Sequence, residues 1–157
     1  DQDAPSLVER AAATGATVVM AMIDADNFKL YNDNYGHDAG DTALVTIGEA
    51  LRETFQRKAD VVARIGGEEF AVCAIVRDGQ HAPKMFEKLL AKVSASQIEH
   101  SGNPPHNKLT VSIGAVVMLM DKDQPLPSVQ KMLKHADQAL YQAKKEGRNR
   151  FVVLDGD

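Results

Sequence analysis

Val61-Val62-Ala63-Arg64-Ile65-Gly66-Gly67-Glu68-Glu69-Phe70-Ala71-Val72-Cys73-Ala74-Ile75-Val76 places a Gly-Gly pair between two apolar, strand-forming runs. Such a pair predicts a β-hairpin, because both central residues of a type I′ turn take positive φ. Two carboxylates, Glu68 and Glu69, follow at once. Side chains alternate between the faces of a strand, so one carboxylate is expected to face a site and the other to face away. Gly66 and Gly67 leave the backbone open to a ligand. Taken alone, Gly-Gly-Glu-Glu fits a solvated hairpin tip better than a site, since short motifs recur by chance. The flanking chain decides.

Upstream, Thr17-Val18-Val19-Met20-Ala21-Met22-Ile23 is continuously apolar, the pattern of a central strand buried on both faces. It runs into Asp24-Ala25-Asp26, and the carboxyl end of a buried strand is an expected place for a site. Asp26 has a second reading, as the cap of the next helix. Phe28, Tyr31 and Tyr35 share one face of a short helix, while Lys29 and Asn32 share another. Gly36-His37-Asp38-Ala39-Gly40-Asp41 opens a longer helix, with Asp38 as N-cap, Asp41 in the first turn and His37 as a hydrogen-bonded turn residue. Leu44, Ile47, Gly48, Leu51 and Phe55 form its apolar stripe. Arg57-Lys58-Ala59-Asp60 is expected to close that helix, where cations suit the dipole.

Further helices are predicted over residues 6–14 (Ser6 as cap), 82–99 and 128–146, the last ending at Gly147. Strands are predicted over 109–117 and 151–154. The order α-β-α-α-β-β-α-β-α-β describes an α+β fold: a mixed sheet covered by helices around a βαββαβ core. Such a core sets the first strand beside the hairpin and brings Asp24 to one hairpin carboxylate. Mg²⁺ is commonly held by one or two carboxylates plus substrate phosphates. Lys144 and Arg148, four residues apart near the end of the last helix, could meet a triphosphate tail or be solvated charges.

The 157 residues suit one domain, with 44% hydrophobic and 25% charged residues. A net charge of −4 gives no broad basic field and argues against binding a nucleic acid polymer. One cysteine, Cys73, cannot form a disulfide within the chain and reads as a core residue. No apolar run reaches spanning length and no signal peptide is visible, so the segment is read as cytoplasmic and without membrane contact.

These motifs resemble the GGDEF family of diguanylate cyclases, in its GGEEF variant, along nearly the whole chain. The resemblance rests on Asp24-Ala25-Asp26-Asn27-Phe28-Lys29, Asn32-Asp33, Gly36-His37-Asp38-Ala39-Gly40-Asp41, Arg64 to Phe70, Ser112-Ile113-Gly114, Ala136 to Lys144, and Gly147-Arg148-Asn149. It implies a nucleotidyl-cyclase, palm-like core in a single catalytic domain over residues 1–157. That domain is expected to form the C-terminal part of a longer signalling protein with an N-terminal sensory or dimerising module. It implies that two GTP are condensed to cyclic di-GMP and two pyrophosphates by a two-fold homodimer, each 3′-hydroxyl attacking the other nucleotide's α-phosphate. Asp24, Glu68 and the Ala25 carbonyl are implied to hold two Mg²⁺, for which Mn²⁺ can substitute, and the proton goes to Glu68 or to a hydroxide on the metal. Asn32 and Asp41 are implied to read guanine, Lys144 and Arg148 to contact the β- and γ-phosphates, and Lys29 to reach the phosphates too. Gly66 and Gly67 line the substrate, and Glu69 belongs to the signature without a fixed role. Arg57 and Asp60 match the family's Arg-x-x-Asp product-inhibition motif, predicting feedback by cyclic di-GMP. The opening Asp1-Gln2-Asp3-Ala4-Pro5 departs from the family's Asp-x-Leu-Thr-Gly-Leu-x-Asn-Arg segment. Two rival readings are a silent domain that senses cyclic di-GMP, and a nucleotidyltransferase making a linear or mixed dinucleotide.

Overall fold

The computed structural model describes residues 3–156; Asp1 and Gln2, part of the departing opening segment, lie outside them. The elements follow the predicted order: α1 (Asp3–Thr14), β1 (Thr17–Ala25), α2 (Phe28–Tyr35), α3 (His37–Thr54), β2 (Val61–Gly66), β3 (Glu69–Val76), α4 (His81–Ala95), β4 (Val111–Leu119), α5 (Val129–Lys145) and β5 (Phe151–Asp155). One sheet runs β2-β3-β1-β4-β5. β4 and β5 pair parallel across the α5 crossover, and the other three pairings are antiparallel. β3 thus lies between β1 and β2, a split βαβ arrangement.

β1 is buried at every position because it is central and both its faces are covered. Val19, Ala21, Ile23 and Ala25 pack with Ile47, Leu51, Phe86 and Leu89 from α3 and α4. Val18 and Met20 pack with Leu7, Val8 and Met132, and Met22 packs with Ala136 and Leu140. The two-residue period of the strand therefore sends its even-numbered side chains toward α1 and α5. α5 lies unusually close to the sheet, since a Cβ at Gly114 would sit 2.0 Å from Leu140 N and 2.3 Å from Ala136 O.

Local expectations shift in several places: α4 ends at Ala95 rather than at 99, and β4 runs Val111–Leu119 rather than over 109–117. The hairpin turn is Gly67-Glu68, with Gly66 paired to Glu69 across an irregularity between Arg64 and Gly66. Only Gly67 has positive φ (+49°), so the turn needs one left-handed residue rather than two. Glu68 belongs to the turn and not to the strand, which removes the alternation expected between it and Glu69. α3 starts one residue before Asp38, with Gly36 as its N-cap, and Asp41 lies beyond the first turn. α3 also ends at Thr54, so Arg57 stands clear of it and the helix dipole does not explain that cation. Ser6 is inside α1, whose start is Asp3.

Candidate functional site

Asp24 has the even parity that faces α5, and it lies at the end of β1, so α5 supplies its neighbour. The Lys144 ammonium donates to Asp24 Oδ2. Asp24 is 4% exposed, and its Oδ1 is buried with no hydrogen-bond partner. Burial pushes the Asp24 carboxyl up to about 6; Lys144 opposes that rise, and the charges of Glu68 and Glu69 add to it. Both hairpin carboxylates therefore act on Asp24. The register explains why: Asp24 pairs with Glu69, and the Ala25 N–H donates to the Glu68 carbonyl at 3.3 Å. Arg64 Nε donates to the Gly67 carbonyl at 2.9 Å and braces the turn. A Cβ at Gly66 or Gly67 would meet nothing within 4 Å, so the space over the tip is open.

Among the described residues no group of three or more His, Cys, Asp or Glu converges as a metal cage. An orphaned carboxylate oxygen beside a second carboxylate and an open tip suits a divalent ion completed by phosphate oxygens. The donor set fits the implied ions.

The guanine candidates Asn32 and Asp41 lie on α2 and α3, the two helices that flank Gly36. Asn32 Oδ1 is buried without a partner and packs on Gly40, where a Cβ would come within 1.9 Å of it. Asp41 follows Gly40 and lines an open groove of about 430 Å³ with Leu44, Val45, Arg64 and Phe70. Lys29 is exposed in the first turn of α2. Arg148 follows α5 in a left-handed conformation (φ +65°), its N–H donating to the Ala143 carbonyl at 3.1 Å.

Arg57 and Asp60 lie at the far end of β2 from the hairpin tip, roughly 20 Å away by strand rise. Their side chains are 53% and 2% exposed, with Arg57 Nε 3.6 Å from Asp60 Oδ1. Burial pushes the Asp60 carboxyl up, and Arg57 opposes the rise. Arg57 also donates to the Ile75 carbonyl and lines a concavity of about 330 Å³ with Arg77, Asp78, Gln80, His81 and Lys84. The three further basic residues of that pocket escaped the sequence reading because the α4 start had no motif to mark it.

Asp26 is also placed differently from expectation. It does not cap α2, whose N-cap is Asn27. Its fully buried carboxylate accepts from Thr110 Oγ1 (2.7 Å), Ser112 Oγ (2.6 Å) and the Asn149 N–H (3.1 Å). The Thr110-x-Ser112 alternation opposite Asp24-x-Asp26 was the available signal for this hub.

The chain matches the family described as "Diguanylate cyclase, GGDEF domain" over residues 1–150. It is 35% identical over 146 residues to diguanylate cyclase DgcP of Pseudomonas aeruginosa, covering 93% of this chain and 21% of that protein. It is 36% identical over 147 residues to response regulator PleD of Caulobacter vibrioides, covering 94% and 31%. The chain thus spans a fifth to a third of these relatives. Among solved structures, the coiled coil and GGDEF domain of DgcB from Caulobacter crescentus, in complex with c-di-GMP, superposes with TM-score 0.82 at 26% identity. That match covers 98% of this chain and 78% of DgcB's. The active GGEEF domain of a Vibrio cholerae diguanylate cyclase gives TM-score 0.75 at 27% identity, covering 97% and 92%. With the hairpin, the acidic strand end and the α5 cations in one fold, the chain belongs to the GGDEF diguanylate cyclase family.

Proposed function

We propose that this chain is the catalytic domain of a diguanylate cyclase, joining two GTP into cyclic di-GMP with release of two pyrophosphates. The observation that carries the reading is Asp24: a buried carboxylate with one oxygen orphaned and the other on Lys144, beneath an open glycine tip. Asp24, Glu68 and the Ala25 carbonyl would hold two Mg²⁺ or Mn²⁺. When bound, these ions supply Lewis-acid activation of the attacking hydroxyl and neutralise charge on the leaving pyrophosphate.

The chain's own residues do the rest. Asn32 and Asp41 orient guanine, the carboxylate accepting from the base N–H groups. Lys144, Arg148 and Lys29 hold the phosphates, Gly66 and Gly67 let them approach, and Glu68 takes the 3′-hydroxyl proton. Each 3′-oxygen then bonds to the other nucleotide's α-phosphorus as pyrophosphate departs. One domain presents one nucleotide, so two domains face each other about a two-fold axis. Positioning supplies much of the rate, and an N-terminal module that dimerises the domain in the cytoplasm would set its activity.

The buried Asp60, with Arg57 and the basic pocket beside it, supports a product site remote from catalysis. Guanidinium groups suit guanine edges and phosphates. If only that site functions, the domain is a cyclic di-GMP receptor. The test is chromatography of products from nucleotide-stripped protein given GTP and Mg²⁺, with Glu68→Gln as control. Cyclic di-GMP from the parent alone supports the cyclase; no product from protein dimerised by a fused coiled coil, with GTP bound, overturns it.

A further inference from the structure

Asp26 has no part in the chemistry above, yet it is more completely held than any residue that does. Its side chain accepts three hydrogen bonds, its N–H donates to the Thr110 carbonyl at 3.0 Å, and His100 Nε2 lies 3.0 Å from its carbonyl. Two side-chain bonds come from the neighbouring strand edge. The third, from Asn149, reaches across 123 residues of sequence to the loop that carries Arg148.

That loop needs holding. Gly147, Arg148 and Asn149 have φ of +130°, +65° and +50° in succession. The left-handed region is costly for L-residues other than glycine, and a run of it persists only where surroundings enforce it. On one side, Gly147 N–H and Arg148 N–H close α5 by donating to the Lys144 and Ala143 carbonyls. On the other, the Arg150 carbonyl accepts from Ile113 N–H and starts the pairing of β5. Asn149 N–H falls between these anchors, and the Asp26 carboxylate takes it.

We propose that Asp26 is a positioning residue, whose carboxylate pins the Gly147–Asn149 turn through Asn149 N–H and so aims Arg148 at the nucleotide's phosphates. The inference rests on reading Arg148 as a phosphate contact. The same carboxylate stands two residues after Asp24, so it ties the strand end under the phosphates to the loop beside them.

The experiment is a double-mutant cycle read by calorimetric GTP binding with Ca²⁺ in place of Mg²⁺, with thermal melts on every protein. Arg148→Ala and Asp26→Ala should each weaken GTP roughly tenfold, as loss of a charge-assisted hydrogen bond does. The double variant should bind no worse than Arg148→Ala, because Asp26 acts through Arg148. Asp26→Asn, which keeps an oxygen for Asn149 N–H, should recover most of the affinity. If Asp26→Ala does not fold, Asp26→Ser replaces it, since its shorter side chain keeps a hydroxyl beside Thr110 and Ser112 but withdraws the acceptor from Asn149 N–H. Losses that add overturn the proposal while leaving Arg148 a phosphate contact. An Arg148→Ala domain that binds GTP as the parent does overturns both.

Discussion

The Lys144 ammonium donates to the Asp24 carboxylate, so a phosphate-binding candidate sits on a metal-binding candidate. Nucleotide and metal would part them, each taking one partner. Lys144→Met should therefore bind Mn²⁺ several-fold more tightly without nucleotide, a change of about 1 kcal/mol for a pair that is partly solvated. Electron paramagnetic titration of free Mn²⁺ measures it. Equal or weaker binding by the variant would show that Lys144 does not compete for Asp24.

The raised Asp24 pKa sets a pH dependence. Folding lifts it from 3.8 to about 6, so the native state holds this proton more tightly than the unfolded chain. The associated stability is complete below about 4 and is lost as pH rises through 6. Thermal melts of the metal-free parent and Asp24→Asn from pH 4 to 8 should converge at low pH. The variant should melt higher above pH 6. Parallel curves would contradict the shift.

Gly114→Ala tests the close seat of α5 on the sheet. Its Cβ would meet backbone atoms of Leu140 and Ala136, which cannot swing aside as a side chain could. The expected loss is about 3 kcal/mol or more, a fall in Tm of roughly 6–12 °C. A melt within two degrees of the parent would mean that α5 shifts freely.

Arg57→Lys separates charge from shape at the remote site. A lysine still compensates the buried Asp60 but loses the planar fork. Cyclic di-GMP affinity, measured by calorimetry, should fall roughly tenfold while Tm stays near the parent value. Unchanged affinity would remove Arg57 from product binding.

Cys73 should be inert in the folded domain. It is 2% exposed, and burial pushes its thiol up to about 12. Ellman's reagent at pH 8 should label it only after guanidinium unfolding. Rapid labelling of native protein would place the β3 thiol at the surface.

Much of this was legible in one dimension, for identifiable reasons. The continuous apolar run of β1 predicts burial on both faces, and it is buried at every position. The Gly-Gly pair between apolar runs predicts the hairpin, and helical periodicity finds α3, α4 and α5. Boundaries were less legible. Arg57 fits a helix end by sequence, yet α3 stops at Thr54, where its apolar stripe has run out into the buried Phe55. Glu68 and Glu69 look like alternating strand residues, but a single left-handed glycine at Gly67 puts Glu68 in the turn and lets both carboxylates act on Asp24.

The sequence alone determined the order of elements, the acidic strand end, the glycine tip and the family, because each is written in local spacing or contiguous motif. Only the tertiary structure decided which charges meet. Lys144 reaches Asp24 across 120 residues because strand parity turns Asp24 toward α5 and Gly114 lets α5 lie against the sheet. Asp26 reads as a helix cap until β4 and the α5–β5 loop bring Thr110, Ser112 and Asn149 to it. A buried carboxylate takes the donors that packing delivers, and packing is a property of the whole chain.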